Sequence, residues 1–187
     1  LSHRLTPHYS SPVFYAAFCF ILVGLGLKLA LFPLHLWLPN SYAFAPSLVS
    51  ALFAATGTKV GIYLLLRFIF TVFHVPENPQ LLNLGNLILA LAFSGVLITS
   101  VVAIYQTDVR RLLAYSSVAQ IGYIMIGVAL ASERGLAGAI IHLFNHGLMK
   151  ATLFAAIGAI ALKAGRVSLK ELSGIGRKMP LTMAAFT

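Results

Sequence analysis

His142, His146 and Lys150 recur every four residues in a stretch otherwise built of Ile, Leu, Phe, Ala and Gly, with Asn145 beside them. On a helix each is displaced by only about 40° from the last, so the three form one polar stripe roughly two turns long. Imidazole exchanges protons near neutral pH, and a desolvated amine can release its proton and join it. The pattern reads as a proton relay with hydration between its members. Two further lysines stand in apolar surroundings. Lys59 lies near the middle of the run 47–73, and Lys28 lies late in the run 12–32. Blander readings stay open for each residue. A membrane-buried His can simply bond one helix to another, Lys59 can belong to a buried ion pair, and Lys28 can snorkel to an interface. The i,i+4 histidines also permit a metal, but no HExxH motif, neighbouring carboxylate or Cys cluster supports one.

These residues must be held by elements that cross a bilayer. The 187 residues are 59% apolar and 9% charged, yet the formal net charge is +9. Such oiliness excludes a disordered basic tail, and a nucleic-acid binder would need its cations clustered on a wet face. A single cysteine, Cys19, excludes an internal disulfide. About 20 apolar residues span a membrane as helix. Spans are expected at 12–38, 47–73, 84–105, 112–131 and 136–162, the fourth depending on its amphipathic lead-in 112–117. Another apolar stretch starts at Leu181 and reaches the last residue, Thr187. The chain begins with Leu, not Met, and carries no signal-peptide pattern. The expectation is therefore an all-α, polytopic transmembrane bundle with a truncated sixth span, residues 1–187 forming one piece of a larger domain. Pro33 removes the backbone donor for the carbonyl of Leu29, which predicts a broken helix just after Lys28. Broken helices at membrane depth are tolerated where they line polar cavities.

Loop charges set the orientation. If the spans alternate, Arg4, Arg67 and Arg134 fall on one side and Arg110, Arg111, Lys163, Arg166, Lys170, Arg177 and Lys178 on the other. The richer side is expected to be cytoplasmic. Pro76 and Pro79, around Glu77 and Asn78, should break the outer turn, while Ser173 to Gly176 and Pro180 separate the last two helices inside. The acids Glu77, Asp108, Glu133 and Glu171 all fall in loops, so none within the membrane answers the three buried lysines. A Lys at the bilayer centre costs about 2.5–3.5 kcal/mol on insertion scales, and such residues usually mark an ion or proton path.

Four segments resemble one family. Lys28-Leu-Ala-Leu-Phe-Pro-Leu-His-Leu-Trp-Leu-Pro39 is similar to the lysine, break and PLHxWLP element of the antiporter-like membrane subunits of respiratory complex I. Those subunits share their fold with the large subunits of multi-subunit cation/proton antiporters. Ala54-Ala-Thr-Gly-Thr-Lys59-Val-Gly-Ile-Tyr63 resembles the next helix with its central lysine. Gln106-Thr-Asp-Val-Arg-Arg-Leu-Leu-Ala-Tyr-Ser-Ser-Val-Ala-Gln-Ile-Gly-Tyr123 and Ile141-His-Leu-Phe-Asn-His-Gly-Leu-Met-Lys-Ala151 match a later loop and helix and the histidine-rich helix. The resemblance implies that Lys28 pairs with a glutamate on an earlier helix and governs proton entry. It implies that Lys59 is a central relay, and that His142, His146 and Lys150 pass protons towards a terminal Lys or Glu on a later broken helix. Both end residues would lie outside this chain. The family is built from two inverted repeats, whose junction this piece would straddle. The segment Asn40-Ser-Tyr-Ala-Phe-Ala-Pro46 is closer to the antiporter branch.

The expected function is translocation of protons, with Na+ a second candidate ion, by a subunit of a redox-driven or antiporter complex. Its expected partners are other membrane subunits and the lipid of a bacterial plasma membrane or an equivalent energy-transducing membrane, with no nucleic acid. No cofactor is expected, because there is no nucleotide-binding glycine loop, flavin site or set of iron–sulfur cysteines. Any oxidoreductase activity would then belong to the complex. A structural scaffold whose polar stripe only holds helices together is the alternative. An enzyme acting on a lipid or quinone would have to use His35 or His74, neither with an acidic neighbour in sequence.

Overall fold

The computed structural model describes residues 11–75, 79–165 and 167–186. Arg4, Arg166 and the outer-turn residues Pro76, Glu77 and Asn78 lie outside the described residues. Five helices are long and apolar enough to cross a membrane. We label the helices α1 (Pro12–Leu29), α2 (Trp37–Phe44), α3 (Ser47–Val72), α4 (Pro79–Ile104), α5 (Val109–Ala129), α6 (Glu133–Ala164), α7 (Ile175–Lys178) and α8 (Pro180–Phe186). The polytopic all-α bundle expected from the sequence is what the chain forms.

Local chemistry places the ends. Ser11 caps α1 through its hydroxyl, which accepts from the Phe14 amide at 3.2 Å, and Pro12 occupies the first turn, where its missing N–H costs nothing. Asp108 accepts from the amides of Arg110 and Arg111 at 2.8 and 3.1 Å and starts α5 three residues before the apolar pattern does. Ser132 does the same for α6 through the Gly135 amide, and Glu133 in the first turn suits the positive helix end.

The break after Lys28 is present. α1 stops at Leu29, and Ala30 turns left-handed at φ 59°. Ala30 N–H donates to the Leu27 carbonyl at 3.2 Å and Leu31 N–H to the Gly26 carbonyl at 2.9 Å. This is the paired 5→2 and 6→1 closure of a helix end, made here without the usual glycine. Helix resumes at Trp37, whose indole N–H reaches back to the Leu27 carbonyl at 2.9 Å and bridges the interruption.

α3 runs through 26 residues but is not uniform. It widens to π-helix at Phe53–Gly57, just before Lys59, and again at Arg67–Val72. Such wide turns leave carbonyls without their regular partners and often sit at functional sites.

α5 is the hub: α4 packs on one side, α6 and α2 on others, while α3 and α8 lie against α6 and α1 against α3. Close approach depends on small residues. A Cβ on Gly122 would come within 2.9 Å of the Ala92 carbonyl oxygen, and one on Gly127 within 2.7 Å of the Gly135 carbonyl oxygen. Two apolar clusters fill the bundle. One joins Phe14, Phe18 and Phe73, with edge-on ring centroids 5.0 and 4.8 Å apart, to Leu29, Ile62, Ile121 and Met125. The other joins Leu38, Tyr42, Leu113, Val118, Phe154 and Ile157.

One end of the bundle is laced by backbone and charge. Val109 N–H donates to the Val167 carbonyl and Leu169 N–H to that of Thr107, so the loop after α6 pairs with the loop before α5. Arg110 donates to the Ala43 carbonyl at 3.3 Å and the Ser47 hydroxyl at 2.9 Å, pinning the hinge between α2 and α3. Arg110, Arg111 and the basic loop 165–178 thereby share one end, as the loop-charge pattern requires.

Candidate proton-relay site

α6 carries the polar stripe in the expected register, but its members differ in environment. His146 is 0% and Lys150 3% exposed, whereas His142 is half-buried and Asn145 faces outwards. The His142 and His146 rings are nearly parallel, 7° apart, with centroids separated by 6.2 Å. That spacing exceeds a direct hydrogen bond and suits one bridging water.

The neighbouring helices supply what the stripe lacks. Lys150 Nζ donates to the Leu113 carbonyl at 3.0 Å and the Ser116 hydroxyl at 2.8 Å, both on α5. One turn along α5, Gln120 Oε1 lies 2.6 Å from His142 Nε2. Both nitrogens of His146 are buried without a hydrogen-bond partner among the described residues. A fully buried polar group left unpaired is costly, and one in a native core calls for a physical reason.

Lys59 reaches the same region from α3. Its Nζ donates to the Ala54 carbonyl, five residues back in the π-helical turn, so the widened turn provides the acceptor. Lys59 also lies within electrostatic range of both His146 and Lys150. It borders a cleft of about 590 Å³ between α3 and α6, lined by Ala55, Val60, Tyr63, Phe144 and Gly147. Gly147 keeps that approach open: a Cβ there would stand 3.3 Å from the Ala55 carbonyl oxygen and 3.8 Å from Lys59 Cε.

Lys28 is different. It is exposed on the last turn of α1 and makes no hydrogen bond or ion pair among the described residues. The structure thus brings Lys59, His142, His146 and Lys150 together and leaves Lys28 apart, beside the break at Pro33. No described carboxylate touches any of the three lysines. Asp108 and Glu171 are engaged at the bundle end, Glu171 in a reciprocal pair with Ser168.

Ser116 and Gln120 are the site residues that the reading of motifs passed over. Their signal is in the sequence: with Ser117 they are the strongly polar positions of a largely apolar span, and the two stand one turn apart. His35 is also buried, 5% exposed, with its ring stacked on Phe32 and edge-on to Tyr115, and its Nδ1 has no hydrogen-bond partner among the described residues. His74 stands in a left-handed turn at φ 46°. Neither meets a carboxylate, so neither forms an acid/base pair among the described residues. Nor do three metal-binding side chains converge anywhere among them.

Known proteins resemble this chain along its whole length. Residues 1–187 match the family model described as NADH:quinone oxidoreductase/Mrp antiporter, transmembrane. The chain is 45% identical over its whole length to NADH-quinone oxidoreductase subunit N of Desulforudis audaxviator (strain MP104C), covering 37% of that protein. It is 38% identical over 89% of its length to NAD(P)H-quinone oxidoreductase chain 4 3 of Picosynechococcus sp. (strain ATCC 27264 / PCC 7002 / PR-6), covering 30% of it. Among solved structures, it superposes with a TM-score of 0.84 and 35% identity on a chain of the Mrp complex from Dietzia sp. DQ12-45-1b, covering 92% of this chain and 31% of that one. A chain of the membrane-bound sulfane sulfur reductase, an archaeal respiratory membrane complex, gives a TM-score of 0.81 at 31% identity over 87% of this chain and 33% of that one. The chain therefore spans about a third of the length of these relatives. With five membrane-crossing helices and a family match from its first residue to its last, it belongs to the NADH:quinone oxidoreductase/Mrp antiporter transmembrane family.

Proposed function

We propose that this chain is the relay segment of a larger ion-translocating membrane subunit and that it conducts protons through the group Lys59, His142, His146 and Lys150. The observation that carries the reading is His146: wholly buried, without a partner on either ring nitrogen among the described residues, and flanked by Lys59 from α3 and Lys150 on its own helix. An imidazole with both nitrogens free can accept a proton at one and release it at the other. Water placed between groups about 6 Å apart would complete the path.

Lys28 takes the entry role. Exposed beside the break, it is accessible to a carboxylate from another part of the longer protein. The apolar cleft at Lys59 would likewise be closed by further helices. Transport would be driven by a redox or antiport partner, because the relatives are subunits of multi-subunit membrane complexes. The transported ion is the proton, with Na+ a second candidate.

One observation favours a structural scaffold. The two bonds from Lys150 to α5 are what a side chain gluing helices together would make. Proteoliposome flux separates the two readings. In the full-length protein, Lys59→Ala should abolish proton flux while the complex still assembles. Wild-type flux in that variant would favour the scaffold.

A further inference from the structure

The stripe on α6 has a companion on α5 whose contribution goes beyond packing. Gln120 lies opposite His142, and their 2.6 Å contact is a short, direct hydrogen bond between Nε2 and the amide oxygen. An amide oxygen only accepts, so with the oxygen facing the ring, as it does here, the proton is on Nε2 and Nδ1 is the free lone pair. The His142 ring lies parallel to that of His146, the next group along the helix, which has no partner fixing either of its nitrogens. His142 is thus a histidine of the stripe whose tautomer is set from outside α6.

A primary amide has a second property. Rotated by half a turn about its last bond, it presents N–H where it presented C=O, and so it can face either a protonated or a bare ring nitrogen without changing charge. A carboxyl group can do both only by gaining or losing a charge, and an apolar side chain can do neither. In a bilayer core, where an unpaired polar group is expensive, this lets His142 lose its Nε2 proton without leaving that atom unsatisfied.

We propose that Gln120 is the positioning residue of the relay: it sets the tautomer of His142 and, by turning its amide, allows that histidine to alternate between proton donor and acceptor. The tautomer half rests on the amide oxygen, not its nitrogen, facing Nε2, and the turning half rests on the relay reading. Gln120 itself carries no transported proton. It decides which nitrogen of His142 is ready to take one.

The test uses the full-length protein in its complex, reconstituted in liposomes, with histidine labelled by 15N and the His142 signals assigned by their loss in His142→Asn. Wild-type His142 should show one tautomer with a hydrogen-bonded Nε2–H. Gln120→Met, close in length but without an acceptor, should lose that signature and show both tautomers. Gln120→Glu should keep the signature, because a carboxylate still accepts. Both variants should slow proton flux about tenfold or more, less than the roughly 10²–10⁴-fold that a proton-transfer group itself supplies, because Gln120 only positions one. The Glu variant slows it despite correct geometry, because its carboxylate becomes a donor only by binding the proton itself, and as an anion it holds a proton on His142. An unchanged hydrogen-bonded Nε2–H signal in Gln120→Met would overturn the tautomer assignment. Wild-type flux in Gln120→Glu would overturn the turning amide. Failure of the relay itself is distinguishable, because Lys59→Ala would then keep its flux while the spectra still decide whether Gln120 sets the tautomer.

Discussion

Gly122 on α5 allows the packing argument to be tested with numbers. A Cβ added there would stand 2.7 Å from Val96 Cγ2, 2.9 Å from the Ala92 carbonyl oxygen and 3.4 Å from the Val96 amide nitrogen. Carbon atoms pack best at roughly 3.5–4.0 Å, so the methyl is short of space by about 0.8 Å against Val96. Val96 could turn its side chain, but the Ala92 carbonyl is backbone within α4 and cannot. Ala92 is 0% exposed, so no room lies behind it. The helices must separate, and overpacking of this kind costs about 1–3 kcal/mol. The usual gain in helix propensity from Gly to Ala should largely cancel, because transmembrane helices persist when a bundle comes apart. Gly138 on α6 is the control: nothing lies within 4 Å of its added Cβ. Reversible unfolding of the full-length protein in mixed micelles should therefore show Gly122→Ala destabilised by about 1–3 kcal/mol. Gly138→Ala should stay within about 0.5 kcal/mol of wild type. Equal stability of the two variants would refute the close α4–α5 contact on which the placement of Ser116 and Gln120 depends.

Other outcomes follow from the same geometry. Asp108→Ala removes the cap on two α5 amides and should cost about 1 kcal/mol, read in the same unfolding assay. Ser116→Ala leaves Lys150 with only the Leu113 carbonyl and should destabilise by roughly 1–3 kcal/mol, while Ser116→Thr, which keeps the hydroxyl, should recover most of it. Gly147→Ala should change stability by about 1 kcal/mol or less, since its Cβ needs only a small adjustment. Gly147→Leu should fill the cleft over Lys59 and slow proton flux in liposomes while the protein still assembles.

Much of this architecture is legible in the sequence because the bilayer imposes one strong rule: long apolar runs must be helices. The spans 47–73 and 112–131 anticipate α3 and α5 to within a few residues. The break after Lys28 is legible because Pro33 has a definite backbone consequence. What repairs the break is not legible, since Trp37 meets Leu27 only after the chain has turned. The i,i+4 period finds His142, His146 and Lys150 because it is a property of one helix. Ser116 and Gln120 escape it because their importance lies between helices, in the antiparallel register of α5 against α6. The π-helical turn that offers the Ala54 carbonyl to Lys59 has no residue signature at all. Burial divides the stripe further than period can, placing Asn145 outside it and His146 fully buried at its centre.

The central claim, that buried lysine and histidine conduct protons, is tested most directly by proton flux through liposomes containing the full-length protein with Lys150→Ala. Lys150 is 3% exposed and faces α5, whereas Lys163 at the end of α6 is exposed, so Lys163→Ala serves as the matched loss of charge. The account predicts that Lys150→Ala reduces flux tenfold or more, with assembly intact and Lys163→Ala unchanged. Wild-type flux in an assembled Lys150→Ala protein would contradict it and leave the polar stripe with only a structural role.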